Sequence, residues 1–266
     1  MMKSLFLLVF LSVFTSIALS YDVEIALGKT TLIIDDPKGI ARSLDMPNEE
    51  NYDVSMMAHI QYQDPKTAVA TFDNFMEVYT FDGNPLTPPQ AISSIYSKPL
   101  TFHLKDDGSV STIDGIETVT TEFNPYSTNL LCALLFPPVQ AGENKSVVSV
   151  NYAFPLSSDE KTKIDEKMLI EYTFAGESEY MDKTCEVITV KIKSEELTSI
   201  KVPIGGTIGQ AFGTGEGTIM YIPDVGVVWA EISMTYDRNL SITLTGVTYP
   251  LSEKVGIEMG VSSGSQ

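Results

Sequence analysis

Four residues are the chain's whole supply of soft metal ligands: His59, His103, Cys132 and Cys185. Structural zinc sites draw on ligands paired a few residues apart, and no such pair occurs, so no metal site is expected from them. Carboxylates are abundant, with 35 Asp+Glu against 17 Lys+Arg and a formal net charge of −18 over 266 residues. The clusters Asp35-Asp36, Glu49-Glu50 and Asp106-Asp107 with Asp114 lack the alternating acidic ladder and closing Glu of a calcium loop. They read as solvated turn residues. Nucleophilic hydrolysis lacks a Gly-x-Ser-x-Gly elbow, and its two candidate bases, His59 and His103, fall inside strand signals. A glycosidase built on two converging carboxylates stays open, although a single Trp is a thin supply for stacking sugars.

The run Gly205-Gly206-Thr-Ile-Gly209-Gln-Ala-Phe-Gly213-Thr-Gly215-Glu-Gly217 lacks the Gly-Lys-Ser/Thr ending of a phosphate cradle. A strand signal follows it where a phosphate site needs a helix N-terminus. It reads as a mobile loop or a bulged strand beside a cavity. No catalytic residue and no cofactor is assigned. The anionic balance also argues against direct contact with nucleic acid, which requires Lys and Arg to displace counterions.

Residues 1–20 have the form of a secretory signal, with Lys3 in the basic region, an apolar run over 5–17, and Ala18-Leu19-Ser20 before a cleavage expected at Tyr21. The expectation is an exported chain, secreted or periplasmic, without a transmembrane segment. In an oxidising compartment Cys132 and Cys185 are free to form a disulfide, and two buried thiols are the other outcome. Asn144-Lys-Ser146 and Asn239-Leu-Ser241 match the glycosylation acceptor, which matters only in a eukaryotic host.

The elements that must position these residues are mostly strands, with β-branched and aromatic residues in short runs between turn signals. A first hairpin is expected over 21–26 and 30–34 around Gly28, then long strands over 53–62 and 68–80. Residues 100–105 and 110–113 flank the tight turn Asp106-Asp107-Gly108. Further strands are expected over 147–154, 167–175, 184–193, 217–222, 227–236 and 240–249. In 187–193 the residues Ile188, Val190 and Ile192 share one face, as a sheet with one wet side requires. One segment departs from this pattern. Asn124-Pro125 signals a helix start, 126–135 continues it with four leucines, and Pro137-Pro138 stops it, so a buried helix is expected mid-chain. A second, shorter helix is expected over 158–165.

The two sides of that helix look alike. Asp106, Gly108 and Val110 recur as Asp224, Gly226 and Val228, and Lys66-Thr67 recurs as Lys183-Thr184. This suggests duplicated halves, 53–123 and 167–249, within one mostly β domain over 21–266. The leader, the long strand pairs, the helix ending in Leu135-Phe136-Pro137-Pro138 and the later Pro223-Asp224-Val225-Gly226 turn resemble exported bacterial families with the incomplete antiparallel barrel of periplasmic lipoprotein carriers. The chain is also similar to exported proteins in which a segment such as Phe136–Gly142 precedes the second strand set. The resemblance covers roughly residues 53–249. It implies a concave face, lidded by helices, that holds acyl chains, and it carries over no catalytic residue. The carriers are smaller and usually less acidic.

The fold class expected is therefore mostly β: an antiparallel, strongly curved sheet or incomplete barrel with one buried mid-chain helix. The function expected is a non-enzymatic exported binding protein for a lipid or lipoprotein. Its ligand would be lined by inward aromatics such as Phe75, Phe102, Phe174 and Trp229, each of which is also ordinary core material. A surface or β-edge interaction protein is the alternative, and a secreted hydrolase the third.

Overall fold

The computed structural model describes residues 19–121, 124–139, 147–158, 161–223 and 225–263. Most of the leader, the Asn144 acceptor and Asp224 of the second Asp-x-Gly turn lie outside the described residues. The first half contains β1 (Ser20–Asp35), β2 (Glu49–Asp64), β3 (Thr67–Phe81), β4 (Asn84–Leu86), β5 (Leu100–Leu104) and β6 (Val110–Asp114). The second contains β7 (Val148–Tyr152), β8 (Ser157–Ser158), β9 (Thr162–Tyr180), β10 (Lys183–Val202), β11 (Gly205–Ile222), β12 (Gly226–Leu244) and β13 (Val247–Ser263). Among the described residues three α-helices accompany them, α1 (Ile40–Ser43), α2 (Ile92–Ile95) and α3 (Thr128–Leu135), with one 3-10 turn at Ile116–Thr118.

All of the strands join one antiparallel sheet in the order β6-β5-β3-β2-β1-β13-β12-β11-β10-β9-β7, with β4 beside β3 and β8 beside β9. The sheet curls into an open half-barrel. Alternation sets the two faces. Val23, Ile25 and Leu27 are buried, while Glu24 and Ala26 between them are exposed. Ile188, Val190 and Ile192 likewise point into the curl, with Lys191 and Lys193 outside, as their spacing predicts.

Tight curling needs small residues on the inner face, and β11 supplies them. By register, Gly213 lies opposite Tyr236, and a Cβ on it would come within 2.5 Å of the Tyr236 ring. Gly215 and Gly217 stand in the same relation to Met234 and Ile232. The glycine-rich run is thus a regular strand over which β12 side chains fold, and not a loop.

The mid-chain helix forms as expected, but its cap is Ser127, whose hydroxyl accepts from the Leu130 amide at 3.3 Å. Asn124 instead folds the approach, its side chain donating to the Val119 carbonyl and accepting from the Tyr126 amide. Every residue of α3 is buried, because it lies within the curl against the apolar part of the inner face. The Tyr21 hydroxyl donates to the Leu135 carbonyl at 3.2 Å, and Tyr172 to the Ala133 carbonyl at 3.1 Å. Burying each of the four leucines contributes about 1.5–3 kcal/mol. The hollow expected to receive a ligand is thus occupied by the chain's own helix.

Other boundaries shift for identifiable reasons. Residues 21–34 form one strand rather than a hairpin, since Gly28 pairs with both Asp53 and Glu258 without interruption. The strand expected over 240–249 is cut by Thr245-Gly246, both with positive φ (49° and 82°), a two-residue hairpin turn that sends 247–263 back as β13. Of the helix expected over 158–165, residues 159 and 160 lie outside the described residues, Ser158 ends β8, and 162–165 open β9, where Thr162 and Ile164 pair with β10.

Cys132 and Cys185 are buried free thiols here, the second of the two outcomes the sequence leaves open. They lie apart: Cys132 is in α3, and Cys185 sits in a small satellite cluster with Ile222 and Val228. Burial also pushes the Cys132 thiol far above its ordinary range. We therefore expect a thiol reagent to label neither cysteine in the native protein and both after unfolding without reductant. Unfolded protein that titrates no thiol would show that the bond exists.

Candidate functional site

The outer face of the sheet carries a groove of about 820 Å³ across β3, β2, β1, β13 and β12. Its floor comes from the register. Ala26 pairs with Ser55 on one side and Gly260 on the other, and Gly28 lies one step along between Asp53 and Glu258. One wall is Met76 and Val78 on β3, exposed at 66% and 55%. The opposite wall is Trp229 with Glu231 on β12, where Trp229 pairs with Ser262. Of the acidic residues at the groove, Glu77 is engaged by hydrogen bonds, whereas among the described residues the side chains of Glu24, Asp53, Glu231 and Glu258 are neither ion-paired nor hydrogen-bonded.

A local irregularity builds the apolar wall. Asn74 takes a left-handed conformation (φ 53°) in a bulge of β3 opposite Met56. The extra residue inverts the alternation: Phe72 faces in, but Met76 and Val78 then face out while Glu77 turns inward. Glu77 accepts hydrogen bonds there from the Tyr52 hydroxyl at 2.8 Å and the Ile92 amide at 3.1 Å, fixing α2. Beyond Glu24, on the same outer face, His59 bridges Asp22 at 2.9 Å and Asp73 at 3.2 Å. Its ring is held above the ordinary histidine range, chiefly by the Asp22 hydrogen bond.

The residues expected to line a ligand do not converge. Phe102 is fully buried against Phe136, with ring centroids 4.7 Å apart. Phe75 and Phe174 are half-buried and pack on the main core. Trp229 is the exception, because it faces out and lines the groove, correcting its inward placement. Missed were Glu24, Asp53, Met76, Val78, Glu231 and Glu258. Part of the signal was present: in Glu258-x-Gly260-x-Ser262, alternate residues mid-strand are too small for an ordinary outer face.

Inside the curl, a polar layer runs beyond the end of α3. Glu166, 2% exposed, accepts from Asn129 at 3.0 Å, Ser194 at 2.9 Å, Tyr236 at 2.7 Å and the Ser127 hydroxyl. Burial, and then the Glu166 charge, raise the Tyr236 hydroxyl well above its usual range, so it stays a donor. Next to it, Arg238 bridges Glu196 at 3.0 Å and Glu253 at 3.4 Å. Burial outweighs the opposing Arg238 charge on Glu253, whose carboxyl is raised, and burial lowers the Lys29 ammonium nearby. The recess between Lys29, Glu50, Tyr52 and Tyr79 is about 60 Å³, room for a water or two. Among the described residues no group of three or more His, Cys, Asp or Glu could hold a metal. Every oxygen of Glu166 is occupied by the fold, so this layer reads as a fastening and not as an acid–base site.

No family's sequence profile and no curated protein matches the chain. Solved structures similar to it include OccK5 (OpdH) of Pseudomonas aeruginosa, at 6% identity and a TM-score of 0.25, covering 92% of this chain and 98% of that one. OprB of Pseudomonas putida is similar at 7% identity and a TM-score of 0.23, covering 91% and 94%. A mutant of Rh. blastica porin follows at 7% and 0.20, covering 90% and 99%. Likenesses this slight carry no weight for function. The faces themselves do. A membrane-spanning barrel turns a continuous apolar band outward, about 25 Å tall. This sheet turns its apolar face inward and Glu24, Asp53, Lys191, Lys193, Glu216 and Glu231 outward. Among the described residues no helix is long and apolar enough to cross a membrane.

Proposed function

We propose that the protein is a non-enzymatic exported binding protein whose partner seats on the outer groove. The observation that carries this is the floor. Glycine within a strand costs roughly 0.5–1 kcal/mol relative to alanine, so a strand glycine calls for a reason. Gly260 has an ordinary φ, and a Cβ built on it would meet only the Ala230 carbonyl oxygen, at 3.8 Å. Neither backbone conformation nor internal packing asks for glycine there. Close approach of another molecule does. Exposed Met76 and Val78 facing a half-buried Trp229 across that floor supply the apolar surface a partner would cover.

The alternatives find less support. A lipid in the hollow would have to displace α3 and leave its buried polar groups unpaired. Among the open edges of the sheet, the long one at β9 residues 173–180 is covered by no described strand on one side. That edge carries a positive-φ bulge at Gly176 and the exposed carboxylates of Glu177 and Glu179, devices that discourage pairing.

Gly260→Val tests the groove without threatening the fold, since valine suits a strand and finds open space. Native mass spectrometry of the full chain from its own host is expected to reveal a bound species that this variant lacks, at an unchanged or higher melting temperature. A bare mass for the parent protein would refute the reading. A lipid adduct retained by Gly260→Val would move the site to the interior.

A further inference from the structure

We infer that the groove's occupant is a cationic amphipathic helix of another protein, a reading that rests on the groove being the binding site. Width comes first. The floor spans β2, β1 and β13, and the walls on β3 and β12 stand four strand spacings apart, or about 19 Å. A helix with its side chains is about 10–12 Å across and lies between such walls, whereas one extended strand would leave the floor uncovered. The apolar stripe of the helix would rest on Ala26 and Gly260, flanked by Met76, Val78 and Trp229.

Charge selects the kind of helix. Asp53 stands on one side of the floor, Glu258 and Glu231 toward the other and Glu24 on the central strand beside Ala26, and no Lys or Arg lines the groove. Asp53 and Glu258 flank Gly28 on its two neighbouring strands, about 10 Å apart. That separation is too wide to chelate one cation and suits two rows of Lys or Arg on either side of an apolar ridge. A second copy of this chain, at a net charge of −18, would bring like charge to like charge. An anionic lipid surface would meet the same repulsion.

The chain's one tryptophan, Trp229, reports on the site without background. The full-length protein is titrated with the helix-forming peptide (KLAKLAK)2, with (ELAELAE)2, with the apolar-free (KGSKGSK)2, and with phosphatidylcholine vesicles. We expect a saturable blue shift of Trp229 emission with (KLAKLAK)2 and at least tenfold weaker responses to the other three. Glu231→Lys/Glu258→Lys is expected to weaken (KLAKLAK)2 binding at least tenfold. Glu195→Lys/Glu216→Lys, the same charge change on the outer face of β10 and β11, should stay within twofold of the parent. All four positions are solvent-exposed, and circular dichroism with melting curves verifies that the variants fold. Equal losses in the two pairs would overturn the inference, because the peptide would then be sensing net charge alone. A saturable shift with (ELAELAE)2 or vesicles in place of (KLAKLAK)2 would overturn the cationic occupant but keep the groove. No shift with any probe, together with a Gly260→Val protein that keeps its native adduct, would remove both.

Discussion

Glu166→Ala is expected to cost at least about 3 kcal/mol of stability, since each buried donor left without its acceptor forfeits about 1–3 kcal/mol. Four side chains from α3, β10, β12 and the α3 cap converge on this carboxylate, so its removal takes the acceptor from Ser127, Ser194 and Tyr236 together and one of the acceptors from Asn129. Asn129 also donates to the Phe154 and Glu166 carbonyls and accepts from the Phe154 amide, so the loss loosens the seat of α3 as well. Glu166→Gln keeps the shape and one acceptor oxygen and should retain roughly half of that stability. Urea unfolding monitored by far-UV dichroism measures both. A loss below 1 kcal/mol for the alanine variant would mean that α3 is held by apolar packing alone. Were Glu166 catalytic, the gradation between Gln and Ala would have no reason to appear in stability.

Local chemistry explains which parts of this fold could be read in advance. The alternation of Ile188, Val190 and Ile192 and the Pro-bounded run of leucines each follow from one period, and both stand where that period puts them. Long strands also survive imperfect boundaries, because burial on one face fixes register over their whole length. What escaped depends on partners distant in sequence. Gly213 looks like loop material until Tyr236, on the next strand, is seen to lie across it. The bulge at Asn74 leaves no mark in a periodicity count, yet it alone decides that Met76 and Val78 face the groove and Phe75 does not. The sequence offers Trp229 as a lining aromatic but not the face it takes, because β12 carries a further irregularity opposite Met220 and Tyr221. A site made on the outer face of a sheet has no core signal to betray it. The small residues of its floor, Ala26, Gly28 and Gly260, and the exposed Met76 and Val78 of its wall depart from what an outer face usually carries.

Arg238→Met should destabilise the protein by about 3–5 kcal/mol near neutral pH, the usual result of leaving buried partners uncompensated. Arg238 lies between Glu196 and Glu253, whose side chains are 8% and 7% exposed, and without it the two carboxylates repel across a poorly solvated gap. The loss should depend on pH in a definite direction. Burial already holds the Glu253 carboxyl above its ordinary value while Arg238 opposes that shift, so the variant raises it further. A carboxyl whose folded pKa lies above its unfolded value binds its proton more tightly when folded, and lowering the pH through that raised pKa favours the fold. The deficit of Arg238→Met relative to the parent should therefore be largest at pH 8 and shrink toward pH 5. Adding Glu196→Gln and Glu253→Gln should recover most of it at pH 8 and remove the pH dependence. Unfolding free energies at the two pH values decide the matter. A deficit that is flat with pH, or that grows on acidification, would mean that Lys29, whose ammonium burial pushes the other way, moves in to neutralise the pair when the guanidinium is gone.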